Sequence, residues 1–166
     1  DKHTHCYNLE ISLLERRTAA RDQHYSTGRS FIEDRSPEED PAVFHRHCFN
    51  QGYLTTGQLE ELLHLSKQRY STTPSSQVML VLQGSAELAR AGVEKRGRPE
   101  EMEGWQLERD LRPLQTFYDE FPTIVKSYGL HQGPVIILER SLVDPLLSSH
   151  REWMYGEILD GLGRNF

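Results

Sequence analysis

Three groups of residues in this chain have types and spacings that chemistry uses. His3-Thr4-His5-Cys6 and His45-Arg46-His47-Cys48 share the form H-x-H-C. Imidazole and thiolate are good zinc ligands, and four ligands can be drawn from the two copies. The C-x-x-C spacing of strong zinc motifs is absent, however. On a helix, residues two apart point ~200° away from each other. His45 and His47 therefore cannot both face one ion, and a zinc site built from these motifs is not expected. The second group is Asp34-Arg35-Ser36, followed by Glu39-Asp40 and Phe44. Taken alone, the triplet reads as a strand-end turn that caps a helix. The third is Arg96-Gly97-Arg98-Pro99-Glu100-Glu101. Such charged loops are commonly just solvated, but local arginines suit a small anionic ligand. No Ser-His-Asp arrangement follows from spacing, and the loop G-x-x-x-x-G-K-[S/T] occurs nowhere in the chain.

The elements that must position these groups alternate between helix and strand. Residues 4–23 read as a helix, with Cys6, Leu9, Leu13 and Leu14 at helical spacing and Arg16, Arg17 and Arg21 following. Residues 25–28 break it. Residues 29–33 form a short strand candidate that ends at Asp34-Arg35-Ser36-Pro37. Pro37 and Pro41 suit a helix start, with the helix running to about Asn50 and Gly52 closing it. Thr55 and Gln58 have the spacing of a capping box. They open a helix through Leu59, Leu62, Leu63 and Ser66, and residues 71–76 are a polar loop.

Residues 78–82, Val-Met-Leu-Val-Leu, are the clearest strand, apolar on both faces as a buried parallel strand is. Ser85 caps a helix from Ala86 to about Lys95, ahead of the arginine loop at 96–101. A long helix with Leu107, Leu111, Leu114 and Tyr118 on one face comes next. Residues 134–138 are a third strand, and residues 141–166 a C-terminal helix and tail. Strands separated by helices predict an α/β architecture with parallel pairing. Neither an internal repeat nor a low-complexity segment is present.

The 166 residues suit a single domain over residues 1–166. A chain of that size buries roughly 70% of its unfolded surface without staples. The net charge of -6 argues against broad nucleic-acid binding, which wants a basic face. Two cysteines make no disulfide framework, so a reducing intracellular compartment is expected, cytoplasm or mitochondrion. The longest apolar run is about six residues, against the ~18 a membrane span needs. The opening Asp1-Lys2-His3 carries no signal-peptide pattern. It suggests a processed, cropped or incomplete amino terminus.

The order of these features resembles the deoxynucleoside kinase family, in particular bacterial deoxyadenosine and deoxyguanosine kinases and their animal deoxycytidine and deoxyguanosine relatives. The resemblance covers roughly residues 5–140. It is most specific from Phe31 to Phe44, and next in the Arg-Gly-Arg-Pro-Glu-Glu loop. It implies a P-loop nucleoside-kinase fold, a parallel sheet flanked by helices. It also implies ATP- and magnesium-dependent phosphorylation of the 5'-hydroxyl of a purine deoxynucleoside or deoxycytidine. Phosphoryl transfer rests on positioning and on stabilising charge at the phosphate oxygens.

By resemblance, Arg96 and Arg98 belong to a mobile lid that closes over the phosphates, where a planar guanidinium grips oxygens in pairs. Asp34 takes the acidic place in the family's Glu/Asp-Arg-Ser triplet, which helps organise magnesium, a cation that wants oxygen ligands. Arg35 would reach toward the reacting oxygen and phosphate. Glu10 and Arg17, seven residues apart, match a family Gln(or Glu)-to-Arg interval. Arg17 with Asp40 would grip the base edge, Phe44 would stack on the base, and Glu101 would hold the sugar 3'-hydroxyl.

The chain also departs from the family pattern. The glycine-rich loop, the carboxylate that follows it and a first-helix tyrosine have no counterpart. Gly92 stands where animal members carry an arginine, and Leu107-Glu108-Arg109-Asp110-Leu111 replaces Leu-Glu-Tyr-Leu. In the family the strand before the phosphate loop lies between those matching 29–33 and 78–82. The resemblance therefore implies a first strand and loop supplied upstream, supplied by another chain, or dispensed with by a rearranged sheet. A homodimer fits the family. The alternative is a non-catalytic kinase-fold subunit whose partners are the proteins of a larger assembly, like an accessory subunit of respiratory complex I.

Overall fold

The computed structural model describes residues 1–144 and 147–163, which divide into two compact units. One comprises residues 1–75 and 123–132, the other 76–122 and 133–166.

The first unit is helical. Helix α1 spans Lys2–Ser26, α2 His45–Asn50 and α3 Thr56–Tyr70. Asp1 caps α1, its carboxylate accepting from the His3 amide at 3.1 Å. The buried face of α1 is Glu10, Leu14, Thr18 and Arg21, while Leu9 is half exposed. The apolar face expected from Cys6, Leu9, Leu13 and Leu14 is thus rotated, because buried carboxylates elsewhere draw α1's charged residues inward. The capping box of α3 forms as expected: Thr55 Oγ1 accepts from the Gln58 amide, and Gln58 Oε1 accepts from the Thr55 amide. Leu14, Val43 and Leu62 belong to the core, with Val125 and Leu130 from the unit's other segment.

The expected strand at 29–33 is not one. These residues run without a ladder partner among the described residues, and Ile32 is fully exposed. A strand is held by its neighbour's backbone groups, and apolar composition alone cannot supply them. The expected helix through residues 41–50 is present, but it opens with a wide turn, Asp40–Phe44, in which the His45 amide donates back to the Asp40 carbonyl. Such π turns are frequent at functional sites.

The second unit holds two parallel strands, β1 Met79–Gln83 and β2 Val135–Glu139, in register from Met79 with Val135 to Gln83 with Glu139. Met79 and Val81 are buried, whereas Leu80 and Leu82 are about half exposed. On β2, Leu138 is buried and Ile137 half exposed. The expectation of a strand buried on both faces fails here, because a two-stranded sheet cannot shield both sides of either strand.

Helix α4, Ala86–Arg96, is capped by Ser85, whose hydroxyl accepts from the Leu88 amide at 3.1 Å. Gly97 ends it with φ of 63°, a left-handed conformation glycine adopts freely. Residues 99–101, expected in the charged loop, instead open a short helix, α5, Pro99–Gly104, because proline suits a first helical turn. The long helix expected after the loop is interrupted, with a wide turn at Leu107–Leu111 before α6, Arg112–Ser127. The break falls at Trp105-Gln106, where the buried Asp110 carboxylate accepts from the Gln106 amide at 2.9 Å. That aspartate lies in the stretch that departs from the family pattern. Helix α7, Ser148–Gly163, packs on β2 through Gly161, where any Cβ would run into Ile136.

Candidate functional site: buried and exposed arginine–carboxylate clusters

In the first unit the loop after α1 is tied down by charge. Arg21 donates to Glu38 at 2.6 and 2.8 Å and to Glu33 at 3.0 and 2.5 Å. Both Arg21 and Glu38 are fully buried. The neighbouring carboxylates hold the guanidinium's pKa above its ordinary value despite burial. The Tyr70 hydroxyl of α3 donates to the Pro37 carbonyl at 2.5 Å. Together these bonds fix residues 33–38, which carry the Asp-Arg-Ser triplet into the wide turn.

Asp40 opens that turn and is buried, and Arg17 of α1 donates to its carboxylate. Burial pushes the Asp40 carboxyl up to about 7, with Arg17 pulling the other way and Glu10 adding to the rise. Glu10, two helical turns before Arg17 on α1, is buried, and its carboxyl is also raised by burial. Its Oε2 lies 3.3 Å from His45 Nε2, and its Oε1 accepts from Cys48 Sγ at 3.7 Å. Burial, with Arg17 nearby, depresses His45 to about 3, so its imidazole is neutral.

Arg35 adopts φ of 62°. A non-glycine residue rarely does so, and the conformation is strained. Its guanidinium stands 4.5 Å from the centre of the Phe44 ring and 3.8 Å from Glu39. Asp34 is exposed beside it, making no hydrogen bond among the described residues. It lines an open hollow shared with Arg17, Ala20, His24, Ile32, Glu33 and Arg35.

The residues singled out in sequence thus fall into two groups. Glu10, Arg17, Asp34, Arg35, Asp40 and Phe44 are neighbours in the first unit. Arg96, Arg98 and Glu101 are neighbours in the second. There Arg96 donates to Glu101 at 2.7 Å and Arg98 to the same carboxylate at 2.9 Å. The two arginines lower the pKa of Glu101. Gly97 lets the chain turn between them, and Pro99 starts α5 so that Glu101 sits in its first turn.

Sequence reasoning missed Arg21, Glu33 and Glu38, which position the site without belonging to it. The available signal was spacing: Arg21 lies one helical turn beyond Arg17, on the same face. It also missed the approach of Cys6 and Cys48 to Glu10.

The deoxynucleoside kinase family model matches residues 1–158, and the chain belongs to that family. It is 24% identical over 136 residues to a deoxyadenosine/deoxycytidine kinase of Bacillus subtilis (strain 168). That alignment covers 80% of this chain and 58% of the relative, so the chain spans somewhat over half the length of the curated relative it matches. Among the described residues no helix is long and apolar enough to cross a membrane.

Proposed function

We propose that this protein serves a deoxynucleoside kinase reaction, moving the γ-phosphoryl group of ATP to the 5'-hydroxyl of a purine deoxynucleoside or deoxycytidine. The buried Arg17–Asp40 pair carries the reading. An arginine and a carboxyl group side by side offer donors and acceptors in one plane, which fits the edge of adenine, guanine or cytosine better than that of thymine. With the carboxyl at about 7, the pair can present a proton as well as lone pairs. Glu10 adds a third hydrogen-bonding group, and Phe44 an aromatic face.

When bound, ATP supplies the phosphoryl group and magnesium the countercharge to its oxygens. Asp34 suits a hard cation: its carboxylate is exposed in the hollow and committed to no other group among the described residues. Arg35 stands beside it to meet a phosphate oxygen. Arg96 and Arg98 are largely exposed and share a single carboxylate, which offsets only one of their two charges. Exposed pairs of this kind are weak, so a polyphosphate can take Glu101's place, releasing that carboxylate toward the sugar 3'-hydroxyl. The family match and the named relative favour this reading over a non-catalytic subunit.

The test is ligand-dependent stabilisation of the protein with its nucleoside. A ligand held at 100 times its dissociation constant adds ~2.7 kcal/mol to unfolding. Deoxyadenosine, deoxyguanosine or deoxycytidine should raise the melting temperature, thymidine should do so least, and Asp40→Asn should erase the preference. Equal shifts for all four, or none, would sink the proposal.

A further inference from the structure

The two cysteines lie far apart in sequence, yet α1 and α2 bring them to one carboxylate. Cys6 Sγ, Cys48 Sγ and a Glu10 carboxylate oxygen all lie within 4.8 Å of one another. Tetrahedral zinc, with bonds of about 2.3 Å to sulfur and about 2.0–2.2 Å to oxygen, holds such atoms roughly 3.3–3.8 Å apart. The donors need to close by at most about 1.5 Å, a shift on the scale of side-chain rotation. A second observation points the same way. Glu10 Oε2 is buried without a hydrogen-bond partner among the described residues, and so are both ring nitrogens of the fully buried His45 beside it. Burial without a partner costs free energy, and here Nε2 stands 3.3 Å from Glu10 Oε2.

We propose that Cys6, Cys48 and Glu10 form a binding site for a borderline-soft divalent cation of the zinc class, with water in the fourth position and His45 steadying the Glu10 carboxylate. The set differs from the one the H-x-H-C motifs suggest: it uses both cysteines, one carboxylate and no ligating histidine. Two sulfurs select against magnesium and calcium. Without metal both sulfurs are thiols, since burial raises the pKa of each. Binding therefore forms two metal–sulfur bonds and one metal–oxygen bond, and releases two thiol protons to solvent. A divalent ion with two thiolates and one carboxylate carries a net charge of about −1, by simple addition of ligand charges. Arg17 and Arg35, whose charges already act on Glu10, oppose that charge favourably. An ion here occupies the carboxylate proposed above for the base. That overlap rests on the kinase reading, whereas the metal site does not.

The experiment is titration of the reduced, metal-free protein with cadmium and with zinc. Cadmium should give an ultraviolet thiolate-to-metal charge-transfer band that saturates at one ion per chain. Zinc, read by competition with a chromophoric chelator, should bind with the same stoichiometry. Loss of an outer-shell partner already costs roughly 10–100-fold in affinity. Cys6→Ser and Cys48→Ser should each cost at least that much, while His5→Asn and His47→Asn leave affinity unchanged. Far-ultraviolet circular dichroism checks that the serine variants fold. If they do not, alkylation of the wild-type protein decides: zinc must slow modification of both cysteines together. No charge-transfer band, or binding that survives both serine substitutions, or alkylation rates untouched by zinc, overturns the site.

Discussion

Arg21 is 1% exposed and gives four hydrogen bonds to two carboxylates, whereas the Arg98 side chain is 66% exposed and gives one bond to Glu101. The two clusters use the same pair of functional groups. In the first unit the ions are out of water, so each must keep its partner, and the pairing holds a backbone segment in place. In the second unit the ions are half solvated, the pairing is worth little, and the groups remain free to change partners. Burial turns an ion pair into architecture, while exposure leaves it as a reservoir of charge for a ligand. Arg17 and Asp40 stand between the two cases: the carboxylate is buried, but the arginine is partly open to the hollow.

The sharpest way to break this comparison is Arg21→Met. It leaves Glu38 buried without its partner, and losing one member of such a pair costs about 3–5 kcal/mol. Urea denaturation should show that loss; a change below about 1 kcal/mol would put Arg21 among the surface arginines. Next in size is the double substitution of Arg96 and Arg98 by alanine. Its melting temperature should stay at the wild-type value, while phosphoryl transfer falls by roughly 100- to 1,000-fold, as when a charge-stabilising donor is removed. Lost stability with retained activity would reverse the assignment.

Arg17→Met should weaken deoxynucleoside binding by about 10- to 100-fold, the worth of a hydrogen bond to a charged group. Isothermal titration would read it, and an unchanged dissociation constant would take Arg17 out of the site. The smallest effect is a pH dependence. Asp40 titrates at about 7 in the folded chain against an ordinary 3.8. The folded state therefore holds the proton more tightly. That contribution is complete below pH ~4 and is lost as pH rises through about 7. The stability of wild type relative to Asp40→Asn should decline across that window, and a difference that is flat or rising would show the carboxylate is not held against its charge.

Much of the local structure was legible in the sequence. The Thr55–Gln58 capping box, the Ser85 cap and the Gly97 stop each depend on residues a few positions apart, and all three form. Strand β1 follows from its apolar run. The misreadings have separate causes: segment 29–33 has the composition of a strand, but a strand also needs a paired neighbour. The long helix expected after the arginine loop is interrupted because one buried aspartate, Asp110, satisfies the Gln106 amide. Periodicity does not reveal that bond.

The sequence by itself determined where α3 and α4 begin and where α4 stops, because those caps and turns are satisfied within one or two turns of chain. It also placed Arg17 seven residues from Glu10 on one helix. Only the tertiary structure decided which charges leave water. Arg17 and Asp40 are 23 residues apart, and Cys48 and Glu10 are 38. Whether such groups become a buried pair, a raised carboxyl or a ligand set depends on desolvation by neighbours that the chain brings in from a distance. Desolvation is a property of the packed interior, and no local pattern encodes it.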